Sequence, residues 1–435
     1  MLLIYTTEIT SRVKFVFRQI CTQILKIPID FTNKVETFIA HDDMKFSYGF
    51  QPLGTEFFIK SHGLLFEHGI SDLDIKVQDW GDTKCFFYTG KKSHIPYDIF
   101  SAAFYLLSRY EEYLPHVKDN YGRFTKKDSL AYQNSFLNQP VVDIWSMYFK
   151  NKLEIFFPKI KFEKSQYSID PIIDVPMAYY FKNKGLIRTF GGIFSDLINL
   201  RFQLSYERFF VLLGLKKDPY DNFNWIINIQ KKSKCKFNIF FLIGDYNSYD
   251  KNISINKKSF VTLIKSMRDY CEVGLKSSFT ALDNYSVLDK ERKRISSILN
   301  LDVEKVRASF SKVNLPTTYR NYVQLDIKND YSMGYPDSIA FRAGTSFPFL
   351  FYDIDYEAQT PLMIHPYQVM DFSLLKFESF LDKKENLQKV IEQVKQVGGV
   401  FTPVFHNYSF SELNRWRSFK TLFNIILEST NNVPQ

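Results

Sequence analysis

The sequence predicts an α/β chain in which a (β/α) barrel over residues 161–435 follows a smaller mixed α/β domain over residues 1–160. Three observations lead there. With 435 residues the chain exceeds what one hydrophobic core ordinarily serves. From Phe162 onward, short β-branched and aromatic runs alternate with helical stretches some seven or eight times over roughly 265 residues, the size and rhythm of a barrel. Polar residues able to do chemistry fall at the C-terminal ends of those runs, where the loops of a barrel converge.

Leu2–Tyr5 reads as a first strand and Ser11–Leu25 as a helix with apolar residues at helical spacing. Strand candidates follow at Lys45–Tyr48, Glu56–Ile59, Asp74–Val77 and Cys85–Tyr88, separated by Gly, Asp and Asn turns. The segment Ile95–Tyr113 predicts a buried helix. Pro96 suits its first turn, Ile99–Leu107 is largely apolar, and Leu114-Pro115 stops it. Glu111 and Glu112 read as a solvated helix end, with Arg109 and Arg123 as ion-pair partners.

In the second half, strands are expected at Ile172–Val175, Phe237–Ile243, Glu272–Leu275 and Lys305–Ser309. Four more are expected at Ile327–Asp330, Ile339–Arg342, Leu362–His365 and Val400–His406. Helices fill the gaps at Ile193–Leu213, Ser259–Tyr270, Leu288–Ile298, Glu385–Val397 and Ser411–Ile426. No internal repeat or low-complexity linker interrupts them.

The central stretch is Tyr167–Tyr180. Ile172, Ile173 and Val175 make a short β-branched run of the kind that forms a buried strand, and Asp174 sits inside it. An unpaired carboxylate is costly to bury, so Asp174 needs a cation, a metal or a set of backbone donors. It is either a cap for the turn that follows or a catalytic or ligand carboxylate. Asp245, Lys276, Asp330, Arg342, His365 and His406 also stand at or just past the ends of predicted strands. Seven such residues at one end are not expected of scattered surface charge, which favours the site reading.

Composition removes several classes. The formal charge is +9, but the lysines are spread along the chain and no four Lys/Arg residues are consecutive, so nucleic acid is not the expected partner. Cys21, Cys85, Cys235 and Cys271 show no metal-site spacing and read as reduced core residues. The N-terminus lacks the basic and apolar regions of a signal peptide. No window approaches ~18 uninterrupted apolar residues. A cytoplasmic protein without a membrane span is the expectation.

Five stretches carry a resemblance: Pro171-Ile-Ile-Asp-Val-Pro, Glu272-Val-Gly-Leu-Lys-Ser-Ser-Phe, Asp330-Tyr-Ser-Met-Gly-Tyr, Ala340-Phe-Arg-Ala-Gly-Thr and Phe405-His-Asn. In this order they resemble the motifs of polysaccharide deacetylases, the NodB-type enzymes of carbohydrate esterase family four. The likeness is greatest to a branch common in Bacteroidetes. The helix from Asp98 to Tyr113 and the later Tyr121-Gly-Arg-Phe resemble that branch's extra N-terminal domain. The resemblance implies a distorted (β/α)7 barrel. It also implies a hydrolase that removes acetyl groups from amino sugars of a surface polysaccharide or its precursor. In the family a divalent metal such as zinc, held by one Asp and two His, supplies the hydroxide; a second Asp is the base and a late His the acid.

Carried over residue by residue, the resemblance makes Asp174 the base, His406 the acid and Arg342 the family's motif arginine. Lys276, Asp330, His365 and Asp245 then line the substrate pocket. The metal ligands do not carry over: the expected Asp, His and His positions hold Pro176, Lys276 and Thr280, and Ser309 stands where another His is usual. No metal ligand is therefore expected at those positions, and a new arrangement of Asp174, His365, His406 and Asp330 stays open. Lys276 either pairs with Asp174, replacing the charge of the metal without its chemistry, or is a solvated surface lysine. Two functions follow: a deacetylase-like hydrolase with substituted ligands, or a pseudoenzyme that keeps the fold to bind a glycan or a protein.

Overall fold

A computed structural model describes residues 1–159, 162–163 and 165–430. The expected domain boundary at residues 160 and 161 lies outside the described residues. The N-terminal part is built on four parallel strands, β1 (Leu2–Thr6), β2 (Ile29–Thr32), β3 (Lys45–Gly49) and β4 (Phe57–Lys60), in the order β2-β1-β3-β4. The helix Ser11–Phe17 begins where Thr10 accepts from Val13 N, and it continues as a π-helical stretch, Arg18–Ile24. Asp98 caps the buried helix Ile99–Leu107 in the same way. A further helix, Val141–Phe156, was not anticipated. The strand expected at Asp74–Val77 is absent. The ladder there joins β5 (Gln78–Trp80) to β6 (Thr83–Cys85) through a turn at Gly81, whose φ of 60° suits a tight hairpin.

Among the described residues the second sheet has nine strands. In chain order, β7 (Ser168–Ile169) lies outside it, paired with a strand near the C-terminus. Then come β8 (Ile172–Val175), β9 (Asn238–Leu242), β10 (Glu272–Ser277), β11 (Lys305–Ala308) and β12 (Asn329–Asp330). The rest are β13 (Phe349–Asp353), β14 (Ala358–Ile364), β15 (Val369–Met370), β16 (Val400–Phe401), which is the partner of β7, and β17 (Pro403–His406). The sheet order is β13-β14-β12-β11-β10-β9-β8-β17-β15, with only the β13–β14 pair antiparallel. Among the described residues no ladder joins β13 to β15, so the sheet is open and not a closed barrel. It is nevertheless strongly curled. On a flat sheet β11 would stand roughly 14 Å from β8, three strand spacings away. Yet Arg307 on β11 lies 2.9 Å from Asp174 on β8.

Ile339–Arg342 is a turn segment, not a strand: Ala340 N bonds Gln368 O and Phe341 N bonds Leu137 O. Ala340 and Phe341 are buried and Ile339 half-buried, which mimics the signature of a core strand. The helix expected over Ile193–Leu213 is two helices, Leu186–Ile198 and Phe202–Leu212, broken at Leu200, where φ is positive. The last helix starts at Phe419, after short 3-10 turns.

The two parts meet through buried charge. Glu111 and Glu112 are buried, not solvated. Arg109 reaches Glu111 at 2.7 Å and Glu112 at 2.8 Å, and Arg342 grips Glu112 with two bonds of 2.9 and 2.7 Å. Arg123 pairs instead with Asp119 at 2.7 Å.

Candidate functional site

The ends of β8, β10, β11 and β17 converge on a cleft of about 490 Å³. Its floor is Asp174, which is fully buried. One carboxylate oxygen, Oδ2, accepts from Lys276 Nζ at 2.7 Å and from Arg307 Nε at 2.9 Å. The other, Oδ1, is buried without a hydrogen-bond partner. Strand alternation explains the meeting: Lys276 and Arg307 are in register on neighbouring β10 and β11, and His406 on β17 is in register with Asp174. All four side chains therefore turn to the interior of the curl.

Burial alone would raise the Asp174 carboxyl, but Arg307 and Lys276 hold it well below the usual carboxylate range. Burial pulls Lys276 below the ordinary lysine value despite Asp174. The two directions look opposed for one ion pair, but the surroundings differ. Asp174 faces two cations, whereas Lys276 is attracted by Asp174 and Asp250 but repelled by the Arg307 guanidinium. The ionised carboxylate is the firm member.

His406 is positioned from behind. Its Nδ1 lies 2.9 Å from Asp371 Oδ2, and its backbone N–H donates to the same oxygen at 2.8 Å. Ser409 also donates to Asp371. This leaves His406 Nε2 facing Asp174 Oδ2 at 3.7 Å. The ring stacks on Tyr408 at 4.7 Å. Around this floor stand the aromatic rings of Tyr121, Tyr220, Tyr249, Phe310 and Phe372, with Arg123 and Lys251 adding positive charge. Tyr121 and Arg123 come from the N-terminal part. Tyr121 stacks on Phe310 at 5.0 Å, and Arg123 donates to Phe310 O at 2.8 Å. They brace a loop in which Phe310 and Ser311 both have positive φ.

The structure thus brings together Asp174, Lys276 and His406. It does not bring in the other four. Arg342 is spent on Glu112. Asp330 is buried, bonded to Tyr319 at 2.9 Å and to Ser332, and burial pushes its carboxyl up to about 6. Asp245 lies exposed in the loop after β9, paired with Lys290 and Arg294. His365 lies at the opposite mouth. Met363 on β14 is level with Asn329, the first residue of β12, which is level with Lys305, the first of β11. Strand stagger therefore carries the end of β14 down to the starts of its neighbours. There His365 stacks on Tyr331, bonds Asn329 at 2.9 Å, and is pushed by burial down to about 4.

The donor set does not fit the divalent metal that the resemblance implies. Pro176 lines the cleft without a donor atom, Thr280 is exposed and outside the lining, and the place beside Asp174 is taken by an ammonium and a guanidinium. Among the described residues no three His, Cys, Asp or Glu side chains are grouped to hold a metal. Arg307 and Asp371 were not singled out in the sequence. Arg307 had a signal, an Arg between Val306 and Ala308 in a predicted strand, the same pattern that singled out Asp174.

A family of unknown function, DUF7033, matches residues 2–158. No curated protein sequence matches the chain. Several solved structures are similar at low identity, three of them as follows. A protein assigned as a polysaccharide deacetylase from Mycobacterium smegmatis is 11% identical with a TM-score of 0.39, over 61% of this chain and 85% of its own. Puue allantoinase is 9% identical with a TM-score of 0.38, over 60% and 84%. The 4-alpha-glucanotransferase of Thermococcus litoralis is 12% identical with a TM-score of 0.35, over 62% and 38%.

Proposed function

We propose that residues 161–435 are a polysaccharide-deacetylase-like scaffold, of the distorted (β/α)7 kind, whose cleft binds a glycan without metal-dependent hydrolysis. Residues 1–160 form a second unit that completes the cleft wall. The observation that carries this is the clamp on Asp174. The place beside Asp174 where a metal would sit is filled by Lys276 and Arg307, both bonded to Oδ2, and Pro176 offers no donor atom. The same two cations supply the charge that a dication would otherwise provide, so the buried carboxylate is neutralised without a metal. Aromatic rings offer flat faces for the apolar sides of sugar rings.

A second reading, a hydrolase, is favoured by one observation: His406 is held by Asp371 as a general acid would be. The two are separated by acetate release from an N-acetylglucosamine oligomer with and without zinc, cobalt or nickel. The glycan-binding reading expects none, together with oligosaccharide binding that Tyr249→Ala weakens. Metal-dependent acetate release that Asp174→Asn abolishes would overturn it.

A further inference from the structure

The helical hairpin inserted after β8, Leu186–Ile198 and Phe202–Leu212, has a surface unlike the rest of the molecule. Of the twenty-six large apolar side chains that the described residues leave exposed, eleven fall between Phe190 and Leu215. They are not scattered. Phe190, Phe194 and Ile198 recur at helical spacing on the first helix, each 65–67% exposed. Phe202, Tyr206 and Phe209, each 59–62% exposed, do the same on the second. A contiguous apolar face of this kind on a soluble part marks an interaction surface.

The hairpin is held together on its other side. Arg208 and Asp196 form a buried pair at 2.7 Å, and Gly192 leaves room for the guanidinium, since a Cβ there would come within 2.4 Å of it. At the base, Arg188 stacks over Tyr246 at 4.3 Å and donates to Lys251 O at 3.0 Å, fixing the hairpin to the loop after β9. The apolar stripes are therefore the outer face of a packed unit.

Charge decides the occupant. Residues 182–217 hold seven Lys/Arg and two Asp/Glu, a net of +5 out of the chain's +9. Both acids are already paired, Asp196 with Arg208 and Glu207 with Lys216 at 2.8 Å. Arg201, Lys216 and Lys217 are exposed at the two ends of the second helix. A second copy meeting this face would set +5 against +5. A bilayer with anionic headgroups would complement both the apolar stripes and the basic flanks. The helices, of 13 and 11 residues, are about 20 and 17 Å long, too short to cross a hydrocarbon core of ~30 Å. No described helix is long and apolar enough to cross a membrane. The hairpin is suited to lie in the interface plane.

We propose that the 186–215 hairpin docks this protein on an anionic phospholipid surface. The docking does not depend on what the cleft binds. Tyr220, a few residues beyond the hairpin, lines the cleft, so docking would hold the cleft close to the bilayer.

The test is co-sedimentation of the full chain with vesicles of phosphatidylglycerol and phosphatidylcholine, against vesicles of phosphatidylcholine alone. Binding is expected to the anionic vesicles, weakening as salt is raised. Phe190→Ser/Phe194→Ser/Phe209→Ser should lower the partition by roughly tenfold or more. Arg201→Glu/Lys217→Glu should remove the preference for anionic vesicles, and it serves if the first variant fails to fold by circular dichroism. A wild-type chain that stays in the supernatant with anionic vesicles at low salt overturns the proposal. So does a dimer that the Phe variant dissociates in the absence of vesicle binding, which would assign the face to a second copy.

Discussion

Replacing Lys276 by Met tests the clamp directly. The substitution keeps the length of the side chain and removes one of the two cations on Asp174 Oδ2. Arg307 remains at 2.9 Å, so the carboxylate is not abandoned. The loss is one charge-assisted hydrogen bond in a site where both partners are at most 5% exposed, about 1.5–3 kcal/mol. Asp174→Asn should be worse. It removes the anion from both pairs and leaves an ammonium and a guanidinium facing each other, for about 3–5 kcal/mol. The double variant should cost less than the sum of the singles by about 1–3 kcal/mol, because it removes one of those stranded cations. Urea unfolding midpoints at constant m-value give all three numbers. The depressed Asp174 carboxyl adds a pH signature. Its stabilisation is complete above the ordinary carboxylate pKa, ~3.9, and is lost only as pH falls through the lowered folded value. A Lys276→Met change within ~0.5 kcal/mol of wild type, as for a surface substitution, would refute the clamp. So would an Asp174→Asn protein more stable than Lys276→Met.

Two further outcomes are expected. Arg342→Lys should destabilise by about 1.5–3 kcal/mol, since an ammonium cannot reproduce the two bonds to Glu112; a thermal melt unchanged from wild type would show that the bidentate grip is immaterial. Asp143, fully buried beneath Thr345 and Ser346, is pushed by burial up to about 7, partly offset by those donors. The folded chain therefore keeps a proton that the unfolded chain has lost between pH ~4 and 7. Its contribution to stability falls as pH rises through that window, so the wild-type advantage over Asp143→Asn should be larger at pH 4.5 than at pH 7.5.

Where the sequence was legible, the signal was local. Ile172–Val175 forms the strand read from it, and Lys276 meets Asp174 because an acid inside an apolar strand must find a cation. Where it was not legible, the partner was distant or the signal ambiguous. Glu112 looks like a solvated helix end until Arg342, 230 residues away, closes on it. Asp371 opens a four-residue helix, Asp371–Leu374, too short for any periodicity to mark it. Strand ends were read as if all were level, and the stagger that lowers His365 to the opposite mouth is a property of the assembled sheet. The apolar stripes of the hairpin carry the same pattern as core helices, and only the folded molecule shows them facing outward.

The open sheet has one more consequence. β13 ends the sheet, and an edge strand with free N–H and C=O groups invites another chain to pair with it. Here that edge is wrapped. Phe15 and Phe104 pack on Tyr352 at 5.0 and 5.2 Å, Gln19 donates to Pro348 O at 3.1 Å, and Arg12 grips Glu357 in the turn that joins β13 to β14. Four of the five residues of β13 are buried. The first helix of the chain is therefore a guard against sheet-to-sheet aggregation. A polypeptide begun after residue 160 would leave that edge uncovered and open to pairing with another chain.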